Sequence, residues 1–418
     1  MDVGTTTDVR DSGATTDGGE LTDGGELADG GELTDGGELT DGGELTDGGE
    51  LTDGGELTDG GELTDGGGSS CRNSVTPAVA TQAAWDAKYS ATYGTSVPGL
   101  TDSSTFAWHG HYWVRAFVSM AKTFGDTKYL DRAVTSIDYW FAHAEGEAGW
   151  SIATDPAQQM LETGMIAHAI MYFVYEVWVD QRFASYRPKA DQFLEKIEPI
   201  LHAYDYQWVD NPPVCGCPGF YIYATCGGLC STASLLMYNQ GATVAKALLL
   251  IDRVERLKGH TPAPGYLHKA DAAAAYFLRF VRLDGEAYNW DYGGCRGAGM
   301  EDVNHAHLDL SLLIWARRFG LGGLATTDMT RLTKTMLKVL NGEAGPDDVS
   351  GHVDGSGRPA NNWDRASLGY DWIDLAEYDP TLLDSTIRVY NTHLTAETGS
   401  RFFLGWAEIL RWINCVQL

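Results

Sequence analysis

The chain has 418 residues, with 58 acidic against 29 basic side chains and a formal net charge of −29 at neutral pH. A balance this acidic disfavours nucleic acid as a partner, and no stretch approaches the roughly 18 apolar residues that span a membrane. We therefore expect no nucleic-acid partner and no transmembrane segment.

Residues 1–70 differ in composition from the rest of the chain. From Asp17 the unit Asp-Gly-Gly-Glu-Leu-Thr repeats every six residues in eight copies, one of them with Ala28, and this segment carries 20 acidic side chains against one basic. A segment so polar, glycine-rich and uniformly charged cannot offset the entropy lost on ordering. We predict a disordered acidic tether; a calcium-bound β-roll is disfavoured because those repeats are nonapeptides.

The tether suggests where the protein works. It resembles the low-complexity segment that follows the acylated cysteine of many bacterial surface lipoproteins, although Met1 is followed by neither the basic start nor the apolar stretch of a signal peptide. We expect an extracellular or envelope location with tethering through this tail. A signal sequence encoded upstream of Met1 would support that expectation.

Helical periodicity dominates the remaining chain. One apolar stripe ends with Phe124 before the Gly125-Asp126 turn, and a second runs from Tyr129 to Trp140, as in a helical hairpin. An early helix is predicted at residues 76–93. Further helical pairs are predicted at residues 156–181 with 186–208, 231–257 with 266–282, 302–319 with 328–341, and 367–377 with 396–413.

This pattern predicts an all-α fold for residues 71–418, an (α/α) toroid of about six helical hairpins. A helical solenoid has similar periodicity, but hairpins of varied length and long aromatic loops favour closure into a barrel. The segment from Phe124 to Ala133, Phe-Gly-Asp-Thr-Lys-Tyr-Leu-Asp-Arg-Ala, resembles a hairpin turn common in six-hairpin glycosidases and helical-barrel polysaccharide lyases.

All seven cysteines lie in residues 71–418, and four of them, Cys215, Cys217, Cys226 and Cys230, fall in one loop rich in glycine and proline. Such a loop favours a disulfide knot. The spacing does not match a common zinc module, and free thiols are the other alternative. Disulfides would indicate an oxidising compartment.

The stretch from Tyr288 to Asp309 is the most informative, because an aromatic, glycine-rich loop precedes a predicted helix. Glu301 and Asp302 are predicted in its first turn, where carboxylates favour the helix dipole. Glu301, His305 and Asp309 then share one helical face. A histidine between two carboxylates has a fixed tautomer and a raised pKa, which suits acid/base chemistry. N-capping acids beside a core histidine are the competing structural interpretation.

The Trp-x-Tyr pattern followed by Glu-Asp-x-x-His-Ala resembles that of bacterial helical-barrel lyases related to alginate and glucuronan lyases. Such enzymes cleave uronate polysaccharides by β-elimination, with one group neutralising the sugar carboxylate and another removing the C5 proton. The resemblance implies that Asn239 and Arg296 neutralise the carboxylate and that Tyr292 and His305 transfer protons. We expect no cofactor and no bound metal ion.

A larger set of side chains is predicted to contact the substrate, because aromatic rings stack on sugars and polar groups bind their hydroxyls. The set comprises Trp108, His109, His111, Glu162, Trp290, Glu301, Trp363, Arg365 and Tyr370. Each also has an ordinary interpretation as a core or rim residue. His109 and His111 lie about 200° apart on a helix and are not expected to chelate a metal. Tyr288 and Tyr370 are alternatives to Tyr292 as the base.

The sequence therefore predicts a secreted or surface-tethered lyase that acts on a uronate-containing polysaccharide. One alternative is an inverting glycoside hydrolase on the same fold, with Glu301 paired with Asp371 or Glu162. A second alternative is a surface protein that binds glycans without catalysis.

Overall fold

The computed structural model describes residues 73–146, 149–150, 156–212, 216–223, 235–345 and 347–416. The predicted tether lies outside them. The helices are α1 (Gln82–Tyr93), α2 (Ser103–Thr105), α3 (His111–Phe124), α4 (Lys128–Ala142), α5 (Pro156–Val179), α6 (Arg187–His202), α7 (Tyr238–Leu257), α8 (Pro264–Phe280), α9 (Val303–Arg318), α10 (Thr326–Leu340), α11 (Asn362–Ser367), α12 (Thr381–His393) and α13 (Ser400–Ile413). Two short antiparallel hairpins pair β1 (Trp208–Asp210) with β2 (Gly219–Tyr221) and β3 (Arg282–Asp284) with β4 (Ala287–Asn289).

Six helices close into an inner ring. Helix α3 packs against α5, α5 against α7, α7 against α9, α9 against α11, and α11 against α13, which returns to α3. Helices α4, α6 and α8 each pack outside the inner helix before them, α12 packs on α11, and α1 packs on α13. Helix α10, the predicted partner of α9, packs mainly on β4. The closed inner ring confirms the predicted (α/α) toroid.

Burial explains which helices lie inside. Residues 238–252 of α7 and 306–316 of α9 are buried all round, as expected of helices packed on every side. Outer helix α4 instead carries one buried stripe that includes Tyr129, Ala133 and Ile137. The first predicted hairpin is therefore confirmed, with Gly125 in the left-handed conformation at the end of α3.

Helices α5 and α7 approach closely at Gly164. A Cβ atom at this position would lie 2.9 Å from the backbone nitrogen of Val244 and would overlap the Thr243 side chain. Two inner helices reach this separation only because one of them lacks a side chain there.

The last predicted hairpin is wrong. In place of a helix over residues 367–377, the chain forms the short α11, a turn at Asp371 with a φ of +60°, and a 3₁₀ segment (Trp372–Glu377). A positive φ at a non-glycine residue is incompatible with a continuous right-handed helix. Helix α12, which the pattern did not predict, is the outer partner of α11, and α13 pairs with α1 from the start of the domain.

Two features bear on the predicted cellular context. None of the described helices is both long and apolar enough to cross a membrane. No disulfide joins two of the described cysteines, of which Cys217 is buried, Cys295 half-buried and Cys415 exposed. The other cysteines of the predicted knot lie outside the described residues, so their pairing stays a prediction.

Candidate functional site

The N-termini of the inner helices lie at one end of the toroid. Short connections make each outer helix antiparallel to the inner helix before it, so the inner helices run in the same direction. Their positive dipole ends therefore face one opening, here called the N-terminal rim. Candidate side chains on this rim are Trp108, His109, Glu162, Asn239, Asp302, Trp363 and Arg401.

Two buried carboxyl groups face each other below the rim. Glu301 and Asp309 are both closed to solvent, and their hydrogen bond to each other requires a proton on one of them. Burial, together with the neighbouring acids, raises the pKa of Glu301 well above its usual range, and burial raises the pKa of Asp309. Trp290 donates from Nε1 to Asp309 Oδ2 at 3.0 Å. The pair therefore holds a proton at neutral pH.

Asp302 is the accessible neighbour of this pair. As the N-cap of α9 it accepts a hydrogen bond from the backbone N–H of His305 at 2.8 Å, and its second oxygen lies 2.5 Å from His305 Nδ1. Partial burial opposes ionisation, but the hydrogen bonds and charge of His305 lower the pKa of Asp302 overall. The structure thus corrects the predicted arrangement: α9 begins at Val303, Glu301 precedes it and bonds Asp309, and His305 is held by Asp302.

Three of the four residues assigned from the lyase resemblance lie together. The Tyr292 ring is centred 5.2 Å from the ring of His305, and its hydroxyl lies against the buried Asn239 amide at the start of α7. Arg296 is instead exposed, and its Nη1 donates to the Tyr223 hydroxyl at 3.3 Å. Of the two predicted carboxylate-neutralising groups, Asn239 is therefore buried and Arg296 is exposed.

The first predicted substrate contacts join the turn before α3 to α5. Trp108 donates from Nε1 to Glu162 Oε1 at 2.7 Å, and Glu162 is 2% exposed. His109 is on the surface of the rim, and its partial burial lowers its pKa. His111 is buried, with Nδ1 against the carbonyl oxygen of Ala107, and burial lowers its pKa well below the usual range. Of the two histidines, only His109 is open to a ligand.

The predicted substrate contacts later in the chain differ in their exposure to solvent. Trp363 is 46% exposed, whereas Trp290 and Tyr370 are fully buried and present no ring face for a sugar. Arg365 forms a bidentate ion pair with Asp348, with both N–O distances at 2.7 Å. Its guanidinium therefore secures a loop.

An ion network that the sequence did not reveal fills the middle of the toroid. Asp371 accepts hydrogen bonds from Arg115 at 2.8 and 3.1 Å, from His307 Nδ1 at 3.0 Å and from Ser311 Oγ at 2.6 Å. Burial opposes its ionisation, but the charge of Arg115 holds the pKa of Asp371 well below its usual range. Both carboxylate oxygens of Asp371 are therefore occupied inside the ring, which disfavours Asp371 as a partner of Glu301 at a sugar. The sequence did contain a signal for this network, because Arg115 and His307 are polar residues within otherwise largely apolar inner helices.

Within the described residues, one cluster has the spacing of a cation site. One donor atom each from Glu301, Asp302 and His305 lie within 4.8 Å of one another. A cation there would have to displace the proton that Glu301 shares with Asp309, and also the Asp302–His305 hydrogen bond. We therefore assign no metal to this cluster.

Comparison with known proteins finds similarity in fold. No protein-family model and no curated protein matches the sequence. Among solved structures, an inactive variant of an α-1,6-mannanase, GH76A of Salegentibacter sp. HEL1_6, in complex with α-1,6-mannotetrose, matches with a TM-score of 0.50 at 11% identity, covering 80% of this chain and 97% of that chain. A second variant of the same enzyme, in complex with α-1,6-mannotriose, matches with a TM-score of 0.45 at 11% identity, covering 73% and 90%.

The chain thus shares the helical-toroid fold of that structure, and the lyase prediction is wrong. The matched protein is a glycoside hydrolase. Burial raises the pKa of Tyr292 and the nearby acids raise it further, which does not favour the predicted role of Tyr292 as a base, because a tyrosine base needs a cation beside it. The predicted uronate substrate is corrected together with the lyase reaction.

Proposed function

We propose that this chain is a glycoside hydrolase that cleaves a neutral, α-linked polysaccharide of the mannan class at the N-terminal rim. The observation that carries the proposal is the adjacent pair Glu301–Asp302, in which the pKa of Glu301 is raised and that of Asp302 is lowered. Glycosidases need one protonated and one ionised carboxyl group at the scissile bond. A pair whose pKa values are driven apart supplies both.

Asp302 is the member that meets the sugar. Its side chain is 35% exposed, and as an ionised carboxylate at the rim it would attack or stabilise the cationic anomeric carbon. Glu301 would protonate the leaving oxygen. Because Glu301 is buried, its proton reaches the cleft only when substrate entry displaces the side chains that cover it.

The spacing of the pair favours a retaining reaction. Donor oxygens of Glu301 and Asp302 lie within 4.8 Å of each other, which is short of the roughly 6.5–9.5 Å that an inverting pair keeps free for water. A covalent glycosyl intermediate on Asp302, followed by hydrolysis, is therefore the proposed course.

The similar mannanase supports the substrate class and the kind of site. Its structure holds an oligosaccharide of α-1,6-linked mannose, and the inactive variant has two adjacent aspartates replaced by alanine. Glu301–Asp302 is likewise an adjacent acidic pair.

Release of reducing ends from α-1,6-mannan by the full chain tests this proposal. Asp302→Asn and Glu301→Gln preserve side-chain volume, and each is expected to lower kcat by about 10²–10⁴-fold. Asp347→Asn is the matched control, since Asp347 is an exposed member of another adjacent acidic pair and should be dispensable. Full activity in both site variants would contradict the assigned residues, and an inactive wild-type chain would contradict the function.

A further inference from the structure

We infer that Trp363 is a sugar-stacking platform on the N-terminal rim, and that its ligand is a pyranose ring of the substrate chain. This inference rests on the proposed function for the class of ligand. Trp363 is 46% exposed, and it is the only tryptophan among the described residues with this much of its surface open to solvent.

A fixed cation supports the indole from behind. The guanidinium carbon of Arg401 lies 4.6 Å from the ring centroid of Trp363 and 4.7 Å from that of Tyr112. Arg401 is 4% exposed and donates to the side chain of Asn304. The guanidinium is therefore a layer held between two rings, and such cation–π contacts fix ring orientation. One indole face is occupied by Arg401, which leaves the opposite side of the ring for a ligand.

The platform borders the acid pair. Trp363 lies in the first turn of α11, where its backbone N–H donates to the capping side chain of Asn361 at 2.6 Å. Asn304, the partner of Arg401, lies in the first turn of α9, two residues after Asp302. Arg401 and Asn304 therefore connect Trp363 to the N-terminus of α9, where Asp302 is the N-cap.

The chemistry of this place suits a pyranose. One face of such a ring carries C–H groups that pack on an aromatic surface, and its edge carries hydroxyls. Asp302 and His109, both accessible at the rim, can bind those hydroxyls. A ring locked in one orientation before the ligand arrives loses little conformational entropy on binding.

Calorimetric titration of α-1,6-mannotetrose into the full chain tests the platform, with Asp302→Asn present throughout to stop turnover. Adding Trp363→Ala should weaken the affinity about ten-fold, and Trp363→Phe should retain most of it because a ring remains. Leu257→Ala is the matched control, because Leu257 is 50% exposed and lies at the C-terminal end of α7, away from the N-terminal rim.

The outcomes separate the platform from the proposed reaction. Undiminished affinity in the Trp363→Ala chain would overturn the platform, whether or not the wild-type chain hydrolyses mannan. Loss of affinity in Trp363→Ala, with no hydrolysis by wild type, would leave the platform standing and contradict the hydrolase. Absence of oligosaccharide binding to every variant, together with no hydrolysis by wild type, would overturn both.

Discussion

Arg115 donates two hydrogen bonds to Asp371, at 2.8 and 3.1 Å, in the middle of the inner helical ring. Both side chains are nearly closed to solvent. A buried ion pair adds little net stability compared with an apolar pair, but removal of one partner leaves the other charge buried without compensation. The network is therefore sensitive to single replacements.

We expect Asp371→Asn to lower the free energy of unfolding by about 3–5 kcal/mol, because Arg115 would then lack its counterion. Urea unfolding followed by circular dichroism measures the change. Asp347→Asn, on the surface, should stay within about 0.5 kcal/mol of wild type. An equally small change in Asp371→Asn would show that the pair does not hold the inner ring together.

Acid should destabilise the fold through His307. The neutral ring donates from Nδ1 to Asp371 at 3.0 Å and accepts at Nε2 from the Tyr112 hydroxyl at 3.2 Å. Burial lowers the pKa of His307 to about 4, below the value of about 6.5 in an unfolded chain. Since the unfolded chain takes up the proton first, stability should fall as the pH drops from about 6.5 to about 4, and this contribution should level off below that.

Urea unfolding at a series of pH values measures this effect, which amounts to about 3 kcal/mol for His307 over the window. His307→Gln should have a shallower pH dependence. His260→Gln is the control, because His260 is 57% exposed, and its curve should parallel that of wild type. A His307→Gln curve that also parallels wild type would refute the assignment.

The Glu301–Asp309 pair should make the fold less stable as the pH rises. The pKa of Glu301 is raised in the folded protein, so its stabilising contribution is complete below the unfolded pKa of about 4.3 and is lost as the pH rises. Glu301→Gln cannot ionise. We therefore expect this variant to be more stable than wild type near pH 8, with the difference vanishing near pH 4. Equal melting temperatures at both pH values would argue against a shared proton.

Gly164→Ala tests the close contact between α5 and α7. The added Cβ would overlap Thr243 and the backbone of Val244, and overpacking of this kind costs about 1–3 kcal/mol. Gly265→Ala is the matched control in the first turn of α8, where nothing lies within 4 Å of the new atom and a gain of about 0.4–1 kcal/mol is expected. Denaturation midpoints that move the same way in both variants would contradict the tight packing.

The fold was predictable where local periodicity and tertiary packing agree. The stripe through Tyr129, Ala133 and Ile137 marks one buried face, and such stripes identified most of the hairpins. The prediction failed after α11, where the positive φ of Asp371 ends the helix. In this conformation the Asp371 side chain binds Arg115 and His307, which are distant in sequence. Contacts between residues so distant in sequence leave no local pattern.

The site was predictable as a set of residues more than as a geometry. The stretch that contains Glu301, Asp302 and His305 does lie at the rim. Because α9 begins at Val303, however, Asp302 is the N-cap and binds His305, where the prediction had placed His305 between Glu301 and Asp309. Arg401 was missed because its role depends on Tyr112 and Trp363 meeting it from other helices. The lyase reaction was inferred from the family resemblance alone, and the comparison of folds corrected that inference.

The most direct test of hydrolysis is one assay with two readings, in which the full chain is incubated with α-1,6-mannan and, separately, with alginate and glucuronan. New reducing ends and near-ultraviolet absorbance from unsaturated sugars are followed together. The account predicts reducing ends from mannan, no rise in absorbance with any polymer, and loss of the reducing ends in Asp302→Asn. A rise in absorbance with a uronate polymer, or mannan left intact by the wild-type chain, would contradict it.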